Sequence, residues 1–153
     1  LEELEKRAVL KSRTQGKMRY YSLNTEYSEV RSVIAVVELM RRVEFLSLHR
    51  KLAYMFKADE RVVGVFGSYA RGTQKEGSDI DIFIVGKRAA NDYDRRGARL
   101  DLNISAKYFS EKDWKRLLKE KNNLLKEIVA NHILIFGVEK FIETVWIYYY
   151  GYD

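Results

Sequence analysis

Cysteine is absent from the 153 residues, which excludes disulfide scaffolds, thiolate zinc sites and cysteine nucleophiles. Histidine is nearly absent. With only His49 and His132 to supply imidazole, the usual zinc sets cannot be built, and any metal is expected to be a hard cation on oxygen ligands. Proline is missing too, so element boundaries must be read from the nine glycines and from capping residues. No run approaches the ~18 uncharged apolar residues of a membrane span, and no basic-then-apolar leader opens the chain. A soluble, cytoplasmic protein is expected. Leu1 in place of a start methionine suggests a piece of a longer chain.

What is present suits one ordinary domain with a small appendage: 46% of residues are hydrophobic and 33% charged. The formal charge of +6 favours polyanionic partners without naming one. Residues 1 to 8 read as the end of a helix. Two runs rich in β-formers, VLKSR and MRYYSLN, flank Thr14-Gln15-Gly16-Lys17 and predict a β-hairpin. From about residue 26 a helix capped by Asn24 or Thr25 carries Val30, Val33, Ile34, Val37 and Met40 as one apolar stripe that a partner must cover. A second helical stretch carries Leu46, Leu52, Ala53 and Phe56 up to Lys57-Ala58-Asp59, and a break or bend near Glu44 leaves one long helix or two open.

At Arg61 the pattern changes. Val62-Val63-Gly64-Val65-Phe66 suits a buried strand, so a boundary is placed near residue 59, dividing a helical linker with its hairpin (1–59) from a second domain (60–153). Residues 79 to 85 alternate as another strand, 86 to 97 read as a polar, mobile segment, and Leu100, Leu102 and Ile104 alternate with Asp101, Asn103 and Ser105 as a third strand. Ser110 with Asp113 opens a helical stretch in the manner of a capping box. His132 to Phe136 is a short strand or buried turn. The last helix bears Phe141, Val145, Trp146 and Tyr149, expected in the core or a subunit interface, and Tyr148 to Tyr150 are assigned to terminal packing. Asp92 and Asp94 are read as solubilisers of the mobile segment.

The chemistry concentrates between Gly67 and Asp81. A Walker loop is excluded, because Gly72 is followed by Thr73 and Gln74 rather than by Lys and Ser or Thr. A glycine-serine pair straight after a buried strand instead exposes backbone N–H groups at a helix start, where Gly67 and Ser68 can hold phosphate. Asp79 and Asp81 point to one face of the next strand with Cα atoms roughly 6.6 to 7 Å apart. Their repulsion turns into coordination around Mg²⁺ or Mn²⁺ together with substrate phosphate. Asp101, read in mid-strand, can converge with them in the manner of two-ion phosphoryl chemistry. Arg71 divides evenly between a phosphate clamp and a pair with Glu76.

The string GSYARGTQKEGSDIDIFIV resembles the signature of the DNA polymerase beta-like nucleotidyltransferase superfamily, and most closely its small prokaryotic and archaeal minimal members. Ten residues separate Ser68 from Asp79, and both Ala-Arg-Gly and Ser-Asp-Ile-Asp are present. Over about residues 60 to 137, the resemblance implies an α+β nucleotidyltransferase fold, a mixed sheet flanked by helices. It also implies Gly67 and Ser68 at the triphosphate, Asp79 and Asp81 on Mg²⁺, and Asp101 as third acid. The first 24 residues are similar to the last helix and wing of a winged helix-turn-helix, whose implied contacts with nucleic acid are Arg13, Lys17 and Arg19, weak and salt-sensitive.

The implied activity is transfer of a nucleoside monophosphate, AMP from ATP in the first instance, to an acceptor hydroxyl. The acceptor stays open between a partner protein of the toxin type and a small molecule. The rival reading is a DNA-binding transcriptional regulator in which the transferase-like domain serves as nucleotide sensor or dimeriser, and a homodimer stays open in either case.

Overall fold

A computed structural model describes residues 1–90 and 92–149; Tyr150 of the terminal tyrosine cluster lies outside the described residues. The chain runs α1 (Glu2–Lys6), β1 (Leu10–Gln15), β2 (Met18–Leu23), α2 (Val30–Leu48), α3 (Arg50–Met55), β3 (Val62–Phe66), α4 (Gly67–Arg71) and β4 (Ile80–Val85). It continues with α5 (Tyr93–Ala98), β5 (Ile104–Phe109), α6 (Glu111–Lys119), α7 (Asn123–Ala130), β6 (His132–Phe136) and α8 (Val138–Tyr149). β1 and β2 form the expected antiparallel hairpin, whose first strand starts one residue later and ends two residues later than the run of β-formers, and which is closed by Gly16-Lys17.

The other four strands make a mixed sheet in the order β5-β4-β3-β6, in which only the β4–β5 pair is parallel. β3 is buried at every residue and β4 at all but Asp81, as continuous apolar runs require when helices cover both faces. On one face Val63, Val65, Ile82 and Ile84 meet Phe45, Leu52, Met55 and Tyr93. On the other, Phe66, Phe83 and Val85 meet Trp114, Leu118, Ile128, Phe141 and Trp146. Phe83 stacks on Trp114 with the ring planes 3° apart, and it fits because Gly64 across the strand pair has no side chain: a β-carbon there would lie 2.4 Å from the Phe83 ring. The fold is the α+β architecture expected, a mixed sheet flanked by helices and preceded by a hairpin.

β6 is an edge strand, and α2 covers it with guanidinium donors. Arg41 donates to the His132 carbonyl at 2.7 Å and Arg42 to the Ile135 carbonyl at 2.9 Å, so backbone acceptors that would otherwise invite another strand are used. Arg41 is held by Glu38, which also faces the buried His132 ring at 3.6 Å. His132 is therefore a packing residue.

Several expectations are corrected. α2 starts at Val30, with Glu29 at its cap and no side-chain capping bond; the Asn24 amide is instead spent on the Ala8 carbonyl at 2.8 Å, closing the base of the hairpin. The helix breaks at His49, not near Glu44. Its apolar residues do not form one covered stripe, because Val30 is buried while Val37 and Met40 are 48% and 67% exposed.

The segment from 86 to 97 contains most of α5, and Asp92 is a buried structural residue rather than a solubiliser. Its carboxylate caps α5 through Tyr93 N–H and accepts from Arg61 at 2.8 Å. Arg61 also holds Asp59 at 2.7 Å, and the Tyr93 hydroxyl donates to Asp59 at 2.7 Å. Burial alone would raise the Asp59 carboxyl, but the hydrogen bonds and charge of Arg61 outweigh it and hold Asp59 down to about 2. Asp94 pairs with Arg88 at the surface.

The third strand begins at Ile104, so Asp101 is not in mid-strand. It sits exposed in the turn after α5, with φ 52. Bonds from Leu100 and Leu102 N–H to the Gly97 carbonyl close this turn. Leu100 and Leu102 reach the core from the turn, which gives the segment the alternation of a strand without its extended backbone.

Candidate active site

Phe66 and Asp81 are paired across β3 and β4. The residue after Phe66 therefore has to turn the chain into α4 directly beside the Asp81 carboxylate. Gly67 does this with φ +69, and a β-carbon there would stand 2.5 Å from Asp81 Oδ2. Both the left-handed backbone and the close approach demand glycine. The result is a half-buried carboxylate seated against the start of α4, next to the half-buried Ser68.

Asp79 is exposed and lies just ahead of β4; Ile80, between the two acids, is buried to 2%. With Ile80 turned into the core, the alternation of an extended chain directs Asp79 and Asp81 together to the other side. The neighbouring strand offers no carboxylate there. β5 runs parallel with Asp81 opposite Ser105, and the Ile80 N–H donates to the Asn103 carbonyl at 2.8 Å. Among the described residues no group of three or more His, Cys, Asp or Glu side chains is placed to hold a metal ion. A donor set of two carboxylates still fits Mg²⁺ or Mn²⁺, since such an ion binds through one or two carboxylates and takes the rest of its shell from water and substrate phosphate.

The sequence-predicted residues thus divide. Gly67, Ser68, Asp79 and Asp81 are brought to one end of the sheet, where β3 ends and β4 begins. Asp101 stays in its turn. Arg71 does not pair with Glu76: it reaches Glu127 of α7 at 2.6 Å, tying α4 to the helical layer. In the hairpin, Arg19 bonds Glu5 at 2.6 Å and Ser12 at 3.0 Å and lies over Tyr21. Arg13 lies over the Tyr20 ring at 5.6 Å, and Lys17 is exposed in the turn.

A groove of about 430 Å³ adjoins α4, lined by Ser47, His49, Arg50, Tyr69, Ile80 and Leu102 among others. The break between α2 and α3 forms its rim, and the His49 ring meets Tyr69 edge-on at 5.5 Å. Burial holds the His49 imidazole below its ordinary value. His49 carries no signal of this in the sequence, since the helix break that turns it toward the groove has no proline or glycine to announce it.

The sequence profile of the Nucleotidyltransferase domain family matches residues 47–143, from the end of α2 into α8. Neither a curated protein nor a solved structure gives a match. The family match spans most of the chain and includes the glycine-serine turn, both aspartates and all four strands of the sheet around them. The chain belongs to the Nucleotidyltransferase domain family and is a transferase of phosphorus-containing groups.

Proposed function

We propose that the protein moves a nucleoside monophosphate, AMP from ATP in the first instance, to an acceptor hydroxyl on a protein or small molecule. The observation that carries the reading is the Asp81 carboxylate held against Gly67. It brings a cation ligand and a phosphate-facing helix start into contact, as a metal–triphosphate pair requires. Asp79 and Asp81 would hold the divalent ion, which supplies charge neutralisation at the phosphates. The amides at Gly67 and Ser68 with the Ser68 hydroxyl orient the triphosphate, and the groove beside Tyr69 seats the part of the substrate beyond it. In the transfer, a bond forms between the acceptor oxygen and the α-phosphorus while the bond to pyrophosphate breaks. Pyrophosphate leaves with the electron pair, and the hydroxyl proton passes to water.

Ser105 opposite Asp81 favours a second reading, nucleotide binding in the service of regulation, because it leaves no carboxylate on β5 to take the acceptor's proton. One experiment decides. The protein is incubated with α-labelled ATP, Mg²⁺ and candidate acceptors, and products are read by mass spectrometry beside calorimetry of nucleotide binding. Metal-dependent attachment of a nucleoside monophosphate, lost in Asp81→Asn, supports transfer. Tight metal-dependent ATP binding with no transfer supports the regulatory reading, and absence of nucleotide binding sinks both.

A further inference from the structure

α3 buries Leu52 and Met55 and turns its other side to solvent, where the Tyr54 ring stands 77% exposed. Beside that ring lies a cleft of about 230 Å³. Tyr54, Met55 and Lys57 line it from α3 and the residues after it, and Arg96, Arg99 and Leu100 from the end of α5. Among the described residues no carboxylate lines it. The acids that could neutralise these cations are engaged elsewhere, Asp59 and Asp92 both on Arg61 and Asp94 on Arg88. No ion pair among the described residues engages Lys57 or Arg99. Glu60 and Asp101, the exposed acids of the two segments, lie outside the lining. Arg96 is set over the Tyr93 ring at 5.2 Å, which holds its guanidinium at the cleft.

Three cations around one cleft call for a ligand with repeated, fixed negative charge. The exposed ring narrows the class. Tyr54 offers a flat apolar face beside those charges, which suits a ligand that alternates phosphates with unpaired planar bases; an aromatic platform in a cationic groove holds single strands with little regard to sequence. A duplex hides the faces of its bases, and an acidic peptide carries no ring at each charge.

We propose that the cleft between α3 and α5 docks single-stranded nucleic acid, with phosphates on Lys57, Arg96 and Arg99 and a base stacked on Tyr54. Leu100 of the cleft and Leu102 of the groove beside Tyr69 belong to one turn, so the strand runs past the nucleotide site and not across the far end of the sheet. The surface is separate from the hairpin, where Arg13, Lys17 and Arg19 lie. Docking of the strand requires no nucleotide transfer and is measured without it.

Fluorescence anisotropy of the whole chain with a short labelled single strand, as RNA and as DNA, tests this. Binding should weaken as salt rises, and Lys57→Gln with Arg99→Gln should make the slope of log K against log salt shallower by about 1.4, as for two phosphates. Tyr54→Ala should weaken binding by about 5- to 150-fold, and Tyr54→Phe much less, since the ring stacks and the hydroxyl does not. These side chains are exposed, so circular dichroism should not change. Affinity for ATP by calorimetry should also stay the same, and Arg13→Gln with Lys17→Gln should leave strand binding nearly as it was. No binding at low salt overturns the proposal. So does binding that survives both cleft variants, or that falls only with the hairpin variant. Equal affinity for a duplex of the same sequence, or equal competition by polyglutamate, would make the cleft a general anion surface and overturn it too. A parallel loss of ATP affinity would assign the cleft to the nucleotide site instead.

Discussion

The Asp81 carboxylate occupies the space that a side chain on Gly67 would need: Oδ2 lies 2.5 Å from the position of a β-carbon there. Gly67→Ala should therefore displace the carboxylate as well as strain a backbone at φ +69. Gly72 separates the two effects, since it has φ +67 and open space where its β-carbon would go. Each alanine should lower stability by roughly 1 to 2 kcal/mol through the left-handed backbone. Only Gly67→Ala should also lower metal-dependent nucleotide affinity, by about 10-fold or more. Thermal melts and calorimetry on the pair measure both, and equal affinities in the two variants would refute a role for the Gly67–Asp81 contact.

Metal binding should depend on nucleotide. Two carboxylates, one of them exposed, are too few to strip a hydrated Mg²⁺ by themselves, whereas with triphosphate oxygens they complete an ordinary site. Mn²⁺ titrated alone should bind weakly, and with ATP present about an order of magnitude or more tighter. Asp81→Asn keeps the shape that lies against Gly67 and removes the charge. It should abolish the cooperation between ion and nucleotide without loss of fold, and persistence of that cooperation in an Asp79→Asn, Asp81→Asn double variant would rule these residues out as ligands.

Much of this was legible in the sequence because it rests on short-range patterns. The run from Val62 to Phe66, the Ile80-Ile82-Ile84 alternation and the Ser110–Asp113 cap each encode their own structure, and the cap appears as Asp113 N–H to Ser110 Oγ at 3.0 Å. The glycine-serine turn and the two aspartates follow from adjacent strands. What was not legible depends on distant partners. Asp92 looks like a loop acid until Arg61, 31 residues away, is placed on it. Arg71 divides between phosphate and Glu76 in the sequence, and its ion pair with Glu127 depends on a residue 56 positions away. Leu100-Asp101-Leu102 has the alternation of a strand, but tertiary contacts of the leucines impose it on a turn. Which residue of β5 faces Asp81 is a matter of register, and single-sequence patterns do not carry register.

Acid should unfold the protein partly through the Asp59–Arg61–Asp92 network. Asp59 falls from its ordinary 3.8 to about 2 in the folded chain. A depressed carboxyl contributes stability that is full above the unfolded value and is lost as pH falls through the folded one, so the window lies between about pH 4 and pH 2. At 1.36 kcal/mol per unit the contribution is about 2 kcal/mol. Urea melts of wild type across that window should lose about this much more than melts of Asp59→Asn, which starts less stable but has no such carboxyl to protonate. Parallel pH curves for the two proteins would show that the network carries no acid-sensitive stability.

The position on β5 that faces Asp81 discriminates between an enzyme built on three acids and one built on two. The family resemblance assigns the third acid to Asp101, whose loss would then reduce transfer by about 10² to 10⁴, the range for removing a positioned base. Its exposed turn and φ 52 argue instead that Asp101→Gly, which suits that backbone, leaves both nucleotide affinity and transfer within a few-fold of wild type. The register argues a gain elsewhere. Ser105→Asp would set a third carboxylate across from Asp81 on the parallel neighbour, and three carboxylates attract a divalent ion that two hold poorly. Mn²⁺ binding in the absence of nucleotide should therefore strengthen by about an order of magnitude in Ser105→Asp and not change in Asp101→Gly, as read by manganese spin resonance. A large loss of transfer in Asp101→Gly, with Ser105→Asp silent toward Mn²⁺, would return the third acid to Asp101.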